Sequence, residues 1–345
     1  MRLTTLLVTL IASAGIVVAA GTYLARAADA IAARTTLGGA WIGSVFLAIA
    51  TSLPEITTDI AAVRIGAPDL AAGDLFGSSM ANMLILAGVS LLPAGAELFR
   101  KAALDHLQYA TLAIILTAMA AAMVFMQPAT SFLGLGVGSL ALAGVYLVGS
   151  RAVFRNTALA RRAGTTEEMS QTAEAPPRSR HLQRLTELRR PLGGFALAAL
   201  VILLAAPRFA HAAEGIAELT GLGSTFMGTW LVGLSTSLPE LVTSLAAVRM
   251  RAYDLAVGNL FGSNAFNMAV FVFLDATQGS GPFFAVVSQV HVISALTAIV
   301  LMALGAAALA VRAQGRLTLL EPSSALIVVG YLAGLSLVLT QSVGR

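Results

Sequence analysis

The chain has 345 residues, 57% of them hydrophobic and only 11% charged, with a mean hydropathy of +0.85; soluble globular domains carry about 25% charged residues, so lipid must solvate this one. The absence of cysteine removes disulfides and thiolate metal sites. The net charge of +4 is an orientation signal for a bilayer protein rather than a footprint for nucleic acid.

Ten apolar stretches approach the ~20 residues that cross a bilayer core. In chain order they are Leu3 to Ala25, Gly39 to Arg64, Asp69 to Leu92, Ala103 to Met126 and Ser131 to Ser150, then Pro191 to Pro207, Gly223 to Val248, Asp254 to Asp275, Pro282 to Val311 and Ser323 to Gln341. The first, with Arg2 and its small-residue end at Ala19-Ala20, has the outline of a secretory signal. Its counterpart in the second half, Val201 to Pro207, lies where no signal could, so a membrane span is expected. With the amino terminus outside, seventeen of the 21 basic residues fall on the cytoplasmic side, nine of them between Arg151 and Arg190. Only Arg2, Arg64, Arg208 and Arg345 fall outside.

One unit is used twice. Thr51-Ser-Leu-Pro-Glu55 recurs as Thr236-Ser-Leu-Pro-Glu240, and the offset of 185 then holds without a gap through Leu75-Phe-Gly-Ser78 and Leu260-Phe-Gly-Ser263. Between Thr51 and Met83, 21 of 33 positions are identical. The halves are 1–150 and 191–345, joined by a hydrophilic segment, 151–190, that holds Pro176-Pro177, Glu167-Glu168 and a basic amphipathic stretch from Ser179 to Arg190. It reads as a cytoplasmic tether, with lipid binding as the alternative. Five spans per half is an odd number, so the second half enters the membrane inverted. The expected fold is an all-α membrane protein of ten transmembrane helices, two inverted five-helix repeats with a substrate site where they meet.

In the first half the helix pair turns at about Ile65 to Pro68, with Glu55 about twelve residues before the turn and Ser78 about eleven after it. At ~1.5 Å rise per residue both lie roughly 17 Å from the turn, near mid-membrane. Glu240 and Ser263 reach the same depth from the other face. A carboxylate there costs on the order of 3 kcal/mol or more by insertion scales, so it faces a cavity, a partner or an ion. Two symmetric carboxylates call for a cation.

Pro54 and Pro239 lack a backbone N–H, which frees the carbonyls of Ala50 and Ser235, and Gly43, Gly228 and Gly233 loosen the preceding turns. Thr51, Ser52, Thr236 and Ser237 add hydroxyl oxygens, and the antiparallel helices add Ser78, Asn82, Ser263 and Asn267. An all-oxygen set with two negative charges suits calcium, which takes ~6–8 oxygens, and it suits sodium as well. Taken singly, a Pro kink, an intrahelical hydroxyl or a Gly-Ser pair is ordinary membrane-helix packing. The two glutamates are not.

These paired segments, Ala50 to Met83 and Ser235 to Met268, resemble the calcium/cation antiporter superfamily, whose two alpha repeats carry a GTSLPE-like segment followed by a GNxxGSNxxN-like segment. The resemblance implies exchange of calcium against sodium, with no cofactor beyond the transported ions and no enzymatic activity. A single chain would suffice, with the bilayer and the ions as partners, in the plasma or inner membrane. It carries the central acidic roles to Glu55 and Glu240, oxygen roles to Thr51, Ser52, Thr236, Ser237, Ser78 and Ser263, carbonyl roles to Ala48 and Gly233, and amide roles to Asn82 and Asn267. It also implies that the first helix of each half, Leu3 to Ala25 and the one from Pro191, slides to open the site alternately.

Three positions depart from that pattern: Gly73-Asp74 where the second half keeps Gly258-Asn259, Gly77-Ser78-Ser79 where Gly-Ser-Asn is usual, and Asn267 where some sodium-coupled members carry Asp. Asp59 and Asp74, opposite Ser244 and Asn259 in the second half, are expected near the outer approach, concentrating cations or holding a proton; the alternative is a pair of wetted helix-end carboxylates. The four histidines read as incidental, His291 as a lone packing imidazole. The rival functions are proton-driven calcium exchange, passive conduction, and an intramembrane aspartyl protease built on Asp59 and Asp74.

Overall fold

The computed structural model describes residues 2–35, 41–102, 105–169, 179–220, 233–279, 281–311 and 322–343. The spans expected to start at Gly39, Ala103 and Gly223 begin outside these residues, as do Gly228, Pro176-Pro177, Arg312, Arg316 and Arg345. Among the described residues eight helices are long and apolar enough to cross a membrane, or nine if the bent pair Ile42–Thr51 and Leu53–Arg64 counts as one span. The stretch from Gly223 to Val248 is described only from Gly233 onward.

The first half comprises α1 (Arg2–Arg34), α2 (Ile42–Thr51), α3 (Leu53–Arg64), α4 (Pro68–Leu91), α5 (His106–Met126) and α6 (Val137–Met169). The second comprises α7 (Ser179–Thr220), α8 (Gly233–Thr236), α9 (Leu238–Arg249), α10 (Tyr253–Gln278), α11 (His291–Ala310) and α12 (Pro322–Val343). Two expected spans start differently. Residues 131–136 form a two-stranded antiparallel hairpin, Ser131–Phe132 with Leu135–Gly136, whose turn uses Leu133 and Gly134 at φ of 52° and 82°; the helix starts at Val137. The stretch from Pro282 is broken into a single turn, Phe283–Val286, and α11, because Val287 leaves the helix with ψ near 139°.

Burial orders the helices. The apolar window of α4 is 83% buried and that of α10 is 89%, against 11% for α1, so α4 and α10 form the centre and α1 lies on the rim. The packing crosses between halves: α1 lies along α7 and against α9, α5 packs on α10, and α11 packs on α4. Among the described residues the buried apolar side chains of both halves form one cluster. Pro68 starts α4 at a position where its missing N–H has no partner to lose, and Gly66, at φ 81°, makes the turn before it.

The proline break appears as expected. α2 is π-helical from Ile42 to Leu47, an insertion that recurs at functional sites, and Ser52 then leaves the helix with φ/ψ of −86°/4° before α3 departs at 42°. Ser237 does the same in the second half, with φ/ψ of −77°/6°. α10 can approach the broken segment because a Cβ at Gly262 would lie 2.3 Å from the Ser44 carbonyl oxygen, and one at Gly43 would lie 2.9 Å from that of Leu255.

Candidate ion-binding site

The two breaks bring α2–α3 of one half and α8–α9 of the other against α4 and α10. All fourteen residues selected from the sequence are buried, including Glu55 at 1% exposure and Glu240 at 0%. Glu240 reaches the break in the first half, its Oε1 3.3 Å from the hydroxyl of Ser52, three residues before Glu55, so the two buried glutamates approach one region from opposite halves.

The hydroxyls connect the halves. Ser52 donates to Glu240 Oε1 at 3.3 Å and Ser263 donates to the same oxygen at 3.4 Å. Ser263 also reaches the Ala48 carbonyl at 3.5 Å, and its repeat partner Ser78 reaches the Gly233 carbonyl at 3.4 Å. Ser78 and Thr236 lie 3.3 Å apart, and both donate to Asp74 Oδ1, at 3.4 and 3.0 Å. Thr51 donates to Asn259 Oδ1 at 3.1 Å. Ser237 is buried here with its hydroxyl unpartnered.

The amides behave unequally. Asn82 donates to Asn264 Oδ1 at 2.8 Å, and Asn264 donates to the Ser79 carbonyl at 3.2 Å, so Asn82 offers only its oxygen. Both polar atoms of Asn267 are buried without a partner. Asn264 was not selected from the sequence. The departure at Ser79, its repeat partner, marked the position without showing the link between α4 and α10.

Both oxygens of Glu55, Oε2 of Glu240, both oxygens of Asp59 and Oδ2 of Asp74 are buried with no donor. A buried polar group left without a partner costs about 1–3 kcal/mol, more when charged. Among the described residues no Lys, Arg or His pairs with any of these four acids, and no three His, Asp or Glu side chains converge as a metal cluster. A cation held here would therefore lean on hydroxyl and carbonyl oxygens as well as carboxylates, a donor chemistry that fits a hard ion.

One alternative is removed and one expectation is revised. Asp59 and Asp74 are not wetted helix ends; they are 1% and 0% exposed, because α3 and α4 pack together and α8 covers α4. Two of the four histidines, read as incidental, have aspartate partners. His291 Nε2 lies 3.1 Å from Asp69 Oδ1, and His106, its partner at the 185 offset, lies 3.0 Å from Asp254 Oδ1. Each histidine reaches the aspartate of the other half, at the start of α4 or α10. That all four positions obey the repeat offset was the available signal.

Residues 5–151 and 190–340 match the family model described as sodium/calcium exchanger protein. The chain belongs to the sodium/calcium exchanger family. It is 31% identical to the inner membrane protein YrbG of Escherichia coli K12 over 242 residues, 68% of each chain. It is 27% identical to the putative antiporter CaxA of Alkalimonas amylolytica over 243 residues, 70% of each chain. Among solved structures, the sodium-calcium exchanger NCX_Mj superposes with a TM-score of 0.70 over 97% of this chain and 98% of that one, at 18% identity, a likeness of fold. This family member is thus a multi-pass membrane protein, nearly all helical.

Proposed function

We propose that the protein is a secondary antiporter that exchanges calcium for sodium by alternating access, with the transported ions held between Glu55 and Glu240. The observation that carries this reading is a pair of buried glutamates, one from each half, with three of their four oxygens lacking a donor and Glu240 bonded to Ser52 of the opposite half. Thr51, Ser52, Ser78, Thr236, Ser237, Ser263, the carbonyls of Ala48 and Gly233, and the amides of Asn82 and Asn267 complete the oxygen set. Asp74 and Asp59 extend it at the end formed by the first repeat.

The reading includes ten crossings as two inverted five-helix repeats. The amino terminus lies outside and the 151–190 segment lies in the cytoplasm of an inner-membrane protein. α1 and α7, which pack along each other on the rim, are the elements that slide. Family membership, the name of the relative CaxA as a putative antiporter and the name of NCX_Mj as a sodium-calcium exchanger support it.

One observation favours a second reading, calcium exchange driven by protons: Asn267 is neutral and unpartnered at a position where an acid would favour sodium. Calcium uptake into proteoliposomes, with sodium, potassium and proton gradients imposed one at a time, separates the two. Uptake driven by outward sodium at uniform pH is expected. Uptake driven only by the pH gradient would replace the first reading with the second, and calcium flux with no counter-flux would remove both.

A further inference from the structure

The repeat supplies an internal control for one group of side chains. In the second half Asn259 is fully satisfied: its Oδ1 accepts from Thr51 at 3.1 Å, and its Nδ2 donates to Thr243 at 3.0 Å and Ser244 at 3.3 Å. The side chains at the same register in the first half are Asp74, Thr58 and Asp59. Asp74 Oδ1 still receives hydroxyls, from Thr236 and Ser78. Where Asn259 turns its N–H donors to two hydroxyls, Asp74 turns an oxygen that can only accept, and it faces a second carboxylate, Asp59.

Four buried oxygens are thereby left with no hydroxyl or amide partner, Thr58 Oγ1, both oxygens of Asp59 and Oδ2 of Asp74, and the two carboxyl groups face each other. Asp59 is 1% exposed and Asp74 0%, and among the described residues no basic side chain pairs with either. The same fold closes this network with a neutral amide at one end, so the backbone does not demand an acid at the other. Two charges have been added and two donors removed at one place. A positive species must make up the difference, and three oxygen-bearing side chains without nitrogen or sulfur suit a small hard cation.

From this we infer that Thr58, Asp59 and Asp74 form a cation site of their own, beside the Glu55–Glu240 centre and at the first-repeat end only, for sodium or calcium. Asp74 connects the two, since Thr236 and Ser78 touch both its Oδ1 and the Gly233 carbonyl. An ion at this site would be the last one held on the path through that end. The inference deepens the exchanger reading and rests on it for the direction of ion movement.

The test replaces Asp59→Ser together with Asp74→Asn, which copies the second half's own side chains and so installs a network this backbone already satisfies. Equilibrium binding of labelled sodium and of labelled calcium, each alone, is measured on the purified full chain at fixed pH, beside a Glu55→Gln, Glu240→Gln variant. The double aspartate variant should bind one fewer cation per chain, and the ion whose stoichiometry falls is the occupant. The glutamate variant should keep that cation and lose exchange. Unchanged stoichiometry for both ions in the aspartate variant overturns the site. If the glutamate variant still exchanges, the central reading fails while the aspartate site stands. Should the double variant not fold, Asp59→Asn alone is read in the same assay with the same expected loss.

Discussion

The pair α3–α4 and the pair α9–α10 share a proline break, a paired Gly-Ser and a His–Asp clasp, yet they enclose different chemistry. Around Asn259 every donor meets an acceptor, whereas around Asp74 and Asp59 three carboxylate oxygens meet none. The glutamates differ in the same direction: Glu240 receives two hydroxyls on Oε1, and Glu55 receives none on either oxygen. Duplication preserved the scaffold that breaks helices at mid-span. The side chains that differ between the repeats, Asp59 and Asp74 against Ser244 and Asn259, leave more buried carboxyl oxygens without a donor at the first-repeat end than at the other.

The largest effect should come from removing the centre that both ends share. Glu55→Gln or Glu240→Gln is expected to lower calcium exchange by about two orders of magnitude or more, since each deletes a formal charge from a site with few carboxylates. Sodium-driven calcium uptake measures it. Comparable loss from either change supports one shared centre, and loss from only one would break the symmetry.

Next comes the close approach that lets α10 meet the broken segment. Gly262→Leu must displace the Ser44 backbone, and overpacking of this kind costs about 1–3 kcal/mol. The expected result is a lowered melting temperature in detergent with transport lost; an unaltered melting temperature would mean that α2 and α10 are not in contact.

A smaller loss is expected where the halves are linked without charge. Asn264→Ser, the side chain its partner Ser79 carries, deletes the bonds to Asn82 and to the Ser79 carbonyl and should destabilise by about 1–3 kcal/mol, leaving buried groups unpaired. The reciprocal Ser79→Asn removes a bond within α4 only, from the Ser79 hydroxyl to the Leu75 carbonyl. Thermal unfolding of both variants should therefore differ in size.

The smallest effects belong to the two clasps. Asp254→Asn and Asp69→Asn each weaken a partly exposed bond to a histidine, worth about 0.5–1.5 kcal/mol. The Asp254 change should be the larger because His106 is fully buried and Asp254 the less exposed of the two aspartates. Equal shifts in melting temperature would mean that burial does not distinguish the two ends.

Much of the site was legible because membrane burial makes polar residues expensive, and a sequence that repeats such residues at one offset declares them. Glu55, Glu240, Ser78, Ser263 and the Pro54 and Pro239 breaks were found this way. The environment of Asp59 and Asp74 was not. Their spacing placed them on the site's face but equally allowed a wet helix end, and the packing of α3 on α4 under α8 excluded water. The hairpin at 131–136 and the break at Val287 were hidden within apolar runs, where hydropathy does not register a change of backbone conformation.

By itself the sequence determined the solvent, the duplication and which oxygen-bearing side chains the candidate site could draw on, because composition, an offset of 185 and side-chain type are properties of residues taken one at a time or in register. Only the tertiary structure decided which residue of one half meets which of the other. Ser52 with Glu240, Thr51 with Asn259 and His106 with Asp254 are contacts between segments more than 140 residues apart, set by how α4 and α10 cross. Local periodicity carries no record of that crossing, and so it carries none of the donors that Asp59 and Asp74 were left without.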